Sequence, residues 1–333
     1  MTLAPQFPHV PASAGHYESF YFTAHHRSEP VAVWIRYTVH KRPGEASTAS
    51  IWFTLFEPGG PTAVKVTTDD PRADAGQLLA VGGYGAVRAD GADGAITSTG
   101  TGVDASWDVR FDPCAPELRH LPYGWMYRAG IPRTKSTSPY PSMRVSGSVT
   151  VAGRRLDLDG WRGMLGHNWG SEHAHRWIWL RGASFAEQPD AWLDVVIGRI
   201  KVGPFVTPWI ANGALALNGA HGTDDTVRHR VGGFGHRVAV TERADGCDLV
   251  LPGREVSLTV HVTAPIAASV GWEYADPAGG RHQVRNCSAA AVRVAIRRRG
   301  VAQTRLVTAH GGVYELGSAE FDPSVLVQPY PDG

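Results

Sequence analysis

Short apolar runs separated by glycine and proline set the pattern of this chain. Residues 31–39 read VAVWIRYTV and residues 51–56 read IWFTLF, both rich in β-branched and aromatic side chains. In 105–111, Trp107, Val109 and Phe111 share one face while Asp108 and Arg110 share the other. In 255–262, Val256, Leu258, Val260 and Val262 alternate with Ser257, Thr259 and His261. That period of two is the mark of a half-buried antiparallel strand. Residues 143–159 predict a hairpin turning at Ala152-Gly153-Arg154, and 306–316 predict another turning at Gly311-Gly312. A further strand is expected over 192–200. Helical spacing is scarce; a short helix is expected only within 71–81. The 39 glycines and 23 prolines fall between the runs. The pattern is all-β, as sandwich or barrel, with a series of strand-like segments in each half. The 333 residues suit two domains, expected at 1–185 and 186–333.

Composition narrows the function classes. The net charge is +1 and no basic run is interleaved with aromatics, which excludes a phosphate-tracking nucleic-acid surface. Arg297-Arg298-Arg299, just before Gly300, reads as a solvated turn. Cys114, Cys247 and Cys287 are far apart and form neither a CxxC pair nor an even-numbered framework, so reduced thiols in a cytoplasm are expected. The N-terminus has no signal-peptide pattern and no run is long enough to span a membrane, so the protein is expected to be soluble, or at most peripheral. There is no G-x-S-x-G elbow, Walker A loop or H-E-x-x-H, and Gly82-Gly83-Tyr84-Gly85 reads as a turn.

The chemistry concentrates in GHNWGSEHAHRWIWL, residues 166–180. If 173–181 is one strand, His173, His175, Trp177, Trp179 and Arg181 share a face, opposite Ala174, Arg176, Ile178 and Leu180. A barrel wall facing an internal cavity has this form, and its aromatic faces suit an apolar or transiently cationic ligand. Three uses of the stretch stand side by side. His173 and His175, with His167, could chelate a metal. Glu172, buried among tryptophans, would have a raised pKa and could donate a proton held or relayed by His167, His173 or His175. Alternatively the motif is architectural, with Asn168 tying a loop, Trp169 plugging a barrel end, and Gly166 and Gly170 allowing tight backbone packing.

The segment GWRGMLGHNWG, residues 160–170, resembles the HNWG signature of a superfamily of double lipocalin-like proteins. That group includes carotenoid 1,2-hydratases, AttH-like and tocopherol-cyclase-like proteins, and fungal kievitone hydratases and Diels–Alderases. KSTSPYP at 135–141, the aromatic run 176–180, YESFYF at 17–22 and VWIRYT at 33–38 extend the resemblance over about residues 15–185. It implies two lipocalin-like antiparallel β-barrels or half-barrels packed together. It also implies an apolar small-molecule ligand of isoprenoid or polyketide character, and action without a metal or other cofactor. Under it, Glu172 is the expected proton donor and His167, His173 and His175 orient or relay. Asn168, Trp169, Trp177 and Trp179 line the pocket, whether inside one barrel or between the two, and Arg181 anchors a polar end of the ligand. The chain departs from the pattern at Gly166, where many relatives carry an acid; the acid role then falls to Glu172 or Asp159. The expected activity is that of a hydratase, cyclase or isomerase. A non-catalytic carrier, or a structural protein with filled barrels, is the alternative.

Overall fold

A computed structural model describes residues 3–74, 76–97, 102–218, 226–233 and 235–330. Among them are three short 3-10 turns and no α-helix; the rest of the regular structure is antiparallel strand. Two large sheets result. The first carries strands from His16–His25 to Trp161–Gly170, and the second those from Arg176–Gly182 to Val301–Ser318. The chain passes between the sheets over residues 171–175. Each sheet curls until strands near its two ends approach each other, which gives the all-β double barrel.

Each barrel is filled by its own side chains. Phe20, Ile35, Phe53, Val109 and Leu165 belong to the first core. Ile178, Leu180, Val195, Leu258 and Val260 belong to the second. A third apolar cluster lies between the barrels and is mostly aromatic: Tyr21, Trp34, Trp52, Trp177, Trp179, Trp272 and Tyr274. The strand His16–His25 is buried at all ten positions, because one face fills its barrel and the other packs on the second barrel. A strand buried on both faces loses the polar–apolar alternation of a half-buried one.

The alternation in 105–111 and 255–262 translates directly into burial. The first predicted hairpin pairs Thr134–Val151 with Arg154–Asp157, and its turn holds Ala152 and Gly153 at φ 49° and 78°. Arg297-Arg298-Arg299 runs out into the turn at Gly300, as the sequence implied. Two expectations fail. Among the described residues of 71–81 there is no helix. Pro71–Arg72 and Gln77–Val81 are strands, because Leu78 and Leu79 are buried in the first barrel and Gln77–Val81 pairs with Gly85–Arg88. Residues 306–316 do not turn back. They belong to the single strand Val301–Ser318, and Gly311 and Gly312 are there for close packing. A side chain at Gly312 would meet Val292 at 2.5 Å, and one at Gly311 would meet the Thr308 hydroxyl at 2.7 Å.

Candidate functional site

Strand Arg176–Gly182 divides its side chains between two environments. Ile178 and Leu180 enter the second barrel's core, while Trp177, Trp179 and Arg181 face the first barrel. Of the two places left open by the sequence, inside a barrel or between the two, the aromatic face takes the second: it forms one wall of a cavity between the barrels. The barrel interior takes the purely aliphatic face, while the indole and guanidinium N–H groups of the other face find acceptors between the barrels.

This cavity has a volume of about 840 Å³. Tyr21, Trp34 and Arg36 come from the first barrel, and Trp177, Trp179, Tyr274 and Glu315 from the second. Its polar groups are few and tied down. Glu315 accepts hydrogen bonds from Trp177 Nε1 at 3.0 Å, Asn286 Nδ2 at 3.1 Å and the Tyr274 hydroxyl at 3.3 Å. Asp194, fully buried behind the wall, accepts from Trp179 Nε1 at 3.1 Å and Ser138 Oγ at 2.5 Å, with His120 Nε2 at 3.3 Å. Burial alone would raise the Asp194 pKa, but His120, Ser138 and Arg181 together lower it. Arg36 lies 3.9 Å from the ring centre of Tyr274 and donates to Ser19.

His173 lines the same cavity, stacked on Tyr17 with ring centres 4.0 Å apart. Its Nδ1 is 2.7 Å from Asp276 Oδ1, which also accepts the His173 backbone N–H. His282 Nε2 meets the other carboxylate oxygen at 2.9 Å. Nε2 of His173 is buried with no hydrogen-bond partner in the protein. Burial, opposed by Asp276, lowers the His173 pKa to about 4. Asp276 is held below the usual carboxylate range: burial acts upward, but the bonds from His173 and His282 outweigh it. Ligand atoms of His173, Asp276 and His282 lie within 4.8 Å of one another, so these three could also hold a metal ion.

The other predicted residues scatter. Asn168 lines the cavity, and its side-chain oxygen is buried without a partner. Its neighbours His167 and Trp169 point to the opposite side of their strand, where their rings stack at 4.4 Å beside a smaller pocket of about 330 Å³. His167 Nε2 binds the buried Glu18 at 2.7 Å, and Glu18 also accepts the backbone N–H groups of Gln6 and Phe7. His175 is 3.8 Å from Glu320 on the outer surface. The metal triad of His167, His173 and His175 is thus not assembled; successive residues of a strand face opposite ways, and 173–175 precede the strand altogether. Glu172 is not buried among tryptophans. It sits at the cavity rim, its side chain 36% exposed, in an ion pair with Arg133. Arg181 lies beyond the cavity. It is buried and donates to Gly163 O at 2.9 Å and, more weakly, to Pro141 O, clamping one barrel to the other. Asp159 caps a turn by accepting the Gly147 N–H at 3.1 Å.

Gly166 has a structural reason. A side chain there would lie 2.5 Å from Cε2 and 2.6 Å from the hydroxyl of Tyr21. The Tyr21 ring fills the place that an acid at 166 would need. Glu315, Asp194, Asp276 and His282 escaped the sequence reading, although Asp194 stands as a lone acid in the apolar run WLDVVIG and Glu315 as the lone acid in GGVYELG. That signal was available, since an acid in such a strand must be buried with partners.

Fold and site together define a double β-barrel protein with an aromatic-walled cavity at the barrel–barrel interface. Kievitone hydratase from Nectria haematococca has the same fold, with a TM-score of 0.52 and 11% identity over 92% of this chain and 90% of that one. A putative AttH from Nitrosomonas europaea aligns with a TM-score of 0.48 and 15% identity over 95% and 97% of the two chains. No protein-family model and no curated protein sequence matches.

Proposed function

We propose that the inter-barrel cavity binds an apolar, unsaturated small molecule of isoprenoid or polyketide character and moves a proton on it, as a hydratase, cyclase or isomerase working through side chains. The observation that carries this reading is an imidazole backed by a buried carboxylate in an aromatic-walled cavity. Asp276 faces Nδ1 of His173, which fixes the ring proton there and leaves Nε2 without a partner just beneath the cavity wall, where a ligand reaches it by displacing the side chains that cover it. With a pKa near 4, the imidazole is neutral at neutral pH and acts as a proton acceptor. The Tyr21 hydroxyl is held above its ordinary pKa, by burial first and then by the nearby charges of Asp194 and Glu315. It therefore keeps its proton and can donate a hydrogen bond to a ligand oxygen. The faces of Trp177 and Trp179 accommodate charge deficiency that develops on an unsaturated ligand. Glu172 holds its carboxylate at the mouth, paired with Arg133, where it reaches only the polar part of a ligand lodged at the entrance. Asn168 offers its unpartnered amide oxygen to a ligand hydroxyl.

A carrier would use the same cavity without the ionisable groups, so one variant separates the two. His173→Gln keeps the ring-sized volume roughly filled and removes the base. Wild type and variant should both bind farnesol, followed by quenching of cavity tryptophans. Turnover of an unsaturated substrate, followed by mass spectrometry of the product, should fall by about 10²–10⁴-fold in the variant. Equal turnover in the two proteins would refute the assignment of His173.

A further inference from the structure

The cavity opens between two segments whose outer surface is apolar. One is 121–133, which contains the turn Gly124–Tyr127; the other is the hairpin of Lys201–Val202 and Phe205–Val206. Tyr123, Trp125, Ile131, Val202 and Phe205 are 52%, 60%, 58%, 50% and 76% exposed. Other large exposed apolar residues among those described, such as Val250 and Val301, lie on other elements. The charge on the two segments is one-sided. Residues 121–133 and 199–208 contain Arg128, Arg133, Arg199 and Lys201 and no acid. Glu172, on the rim, pairs with Arg133. Exposed apolar patches of this kind mark contact surfaces. Tryptophan and tyrosine beside arginine and lysine suit the boundary between headgroups and acyl chains, where the ring meets hydrocarbon and the cation meets anionic headgroups.

We propose that the cavity mouth docks on an anionic lipid bilayer. Trp125, Ile131, Val202 and Phe205 enter the headgroup–acyl boundary, and Arg128, Arg199 and Lys201 contact the headgroups. An apolar ligand then passes between bilayer and cavity without crossing water. This rests on the reading that the cavity ligand is apolar. It goes beyond that reading in naming where the ligand is exchanged.

The test is co-sedimentation of the full chain with vesicles of phosphatidylcholine alone and of equimolar phosphatidylcholine and phosphatidylglycerol, over a salt series. Partitioning should favour the anionic vesicles and weaken with salt. Phe205→Ser and Arg128→Glu change the mouth without touching the cavity wall; combined, they should lower partitioning at least about tenfold. Farnesol binding without vesicles should be the same in wild type and variant. No sedimentation with anionic vesicles, or partitioning unaffected by the paired substitutions, would overturn the proposal. So would self-association without lipid that the same substitutions abolish, since the face would then belong to a second copy. Vesicle docking with no farnesol binding would uphold the docking and sink the reading of the cavity.

Discussion

Gly166→Ala tests the local geometry of the HNWG motif. The added methyl would overlap Tyr21 Cζ and lie 2.5 Å from Cε2, where ordinary contact begins near 3.4 Å, so the ring must retreat by about 1 Å. It has little room. Tyr21 is 7% exposed and packs edge-on against Trp179 with ring centres 5.0 Å apart. Overpacking of this size costs about 1–3 kcal/mol. At roughly 2–4 °C per kcal/mol for a barrel of this size, the melting temperature should drop by several degrees. The decisive form is a double-mutant cycle. Tyr21→Ala alone should cost about 3–5 kcal/mol. In its presence Gly166→Ala should be almost neutral, because the methyl then enters the space the ring has left. The coupling should exceed about 0.5 kcal/mol. Thermal and urea denaturation of the four proteins measures it. Strict additivity would refute the claim that Tyr21 is what keeps residue 166 a glycine. The pair Gly166→Asp with Tyr21→Ala should fold where Gly166→Asp alone is destabilised.

Three further outcomes are expected. Asp276→Asn removes the carboxylate that orients His173, and should lower turnover by about 10²–10⁴-fold while ligand affinity holds, as read by initial rates beside fluorescence titration; unchanged rates would remove Asp276 from the mechanism. Stability should fall with acid in two windows. Burial lowers His173 from 6.5 to about 4 and, with the Arg181 charge, lowers His25 to about 3, so the unfolded chain binds these protons first. Their contribution is complete above pH 6.5 and is lost as pH falls towards 3; Glu18, lowered from 4.5 to about 2, contributes above 4.5 and loses that contribution towards 2. Urea midpoints at pH 7 and pH 4.5 check the first window, where His173→Gln should flatten the slope; a stability independent of pH there would contradict it. Glu172→Gln should slow turnover and leave binding intact, and full activity would remove Glu172 from the mechanism.

How much of this was legible in the sequence depends on burial geometry. The half-buried strands, 105–111 and 255–262, declare themselves by alternation because only one face meets the core. Strand His16–His25 does not, since both its faces are buried and only their destinations differ. Trp177 and Trp179 are visible as a face, but which space they face depends on Tyr21 and Trp34 of the first barrel, more than a hundred residues away in the chain. Glu172 looks buried from its neighbours in sequence; Arg133, which the fold brings to it, keeps it at the surface. His173 was among the residues singled out, yet its partners Asp276 and His282 lie on the far side of the second barrel's sequence, where no local pattern connects them.

The central claim is that the space between the barrels holds an apolar ligand. Gly198 lines that space, and a side chain there would meet nothing closer than 3.7 Å, so Gly198→Phe should enter the cavity without straining the sheet. Native mass spectrometry of wild type and Gly198→Phe, each mixed with farnesol, is the most direct measurement. A one-to-one complex with wild type and none with an equally stable Gly198→Phe is the expected result. A complex that forms equally well with both proteins would place the ligand elsewhere and contradict the account.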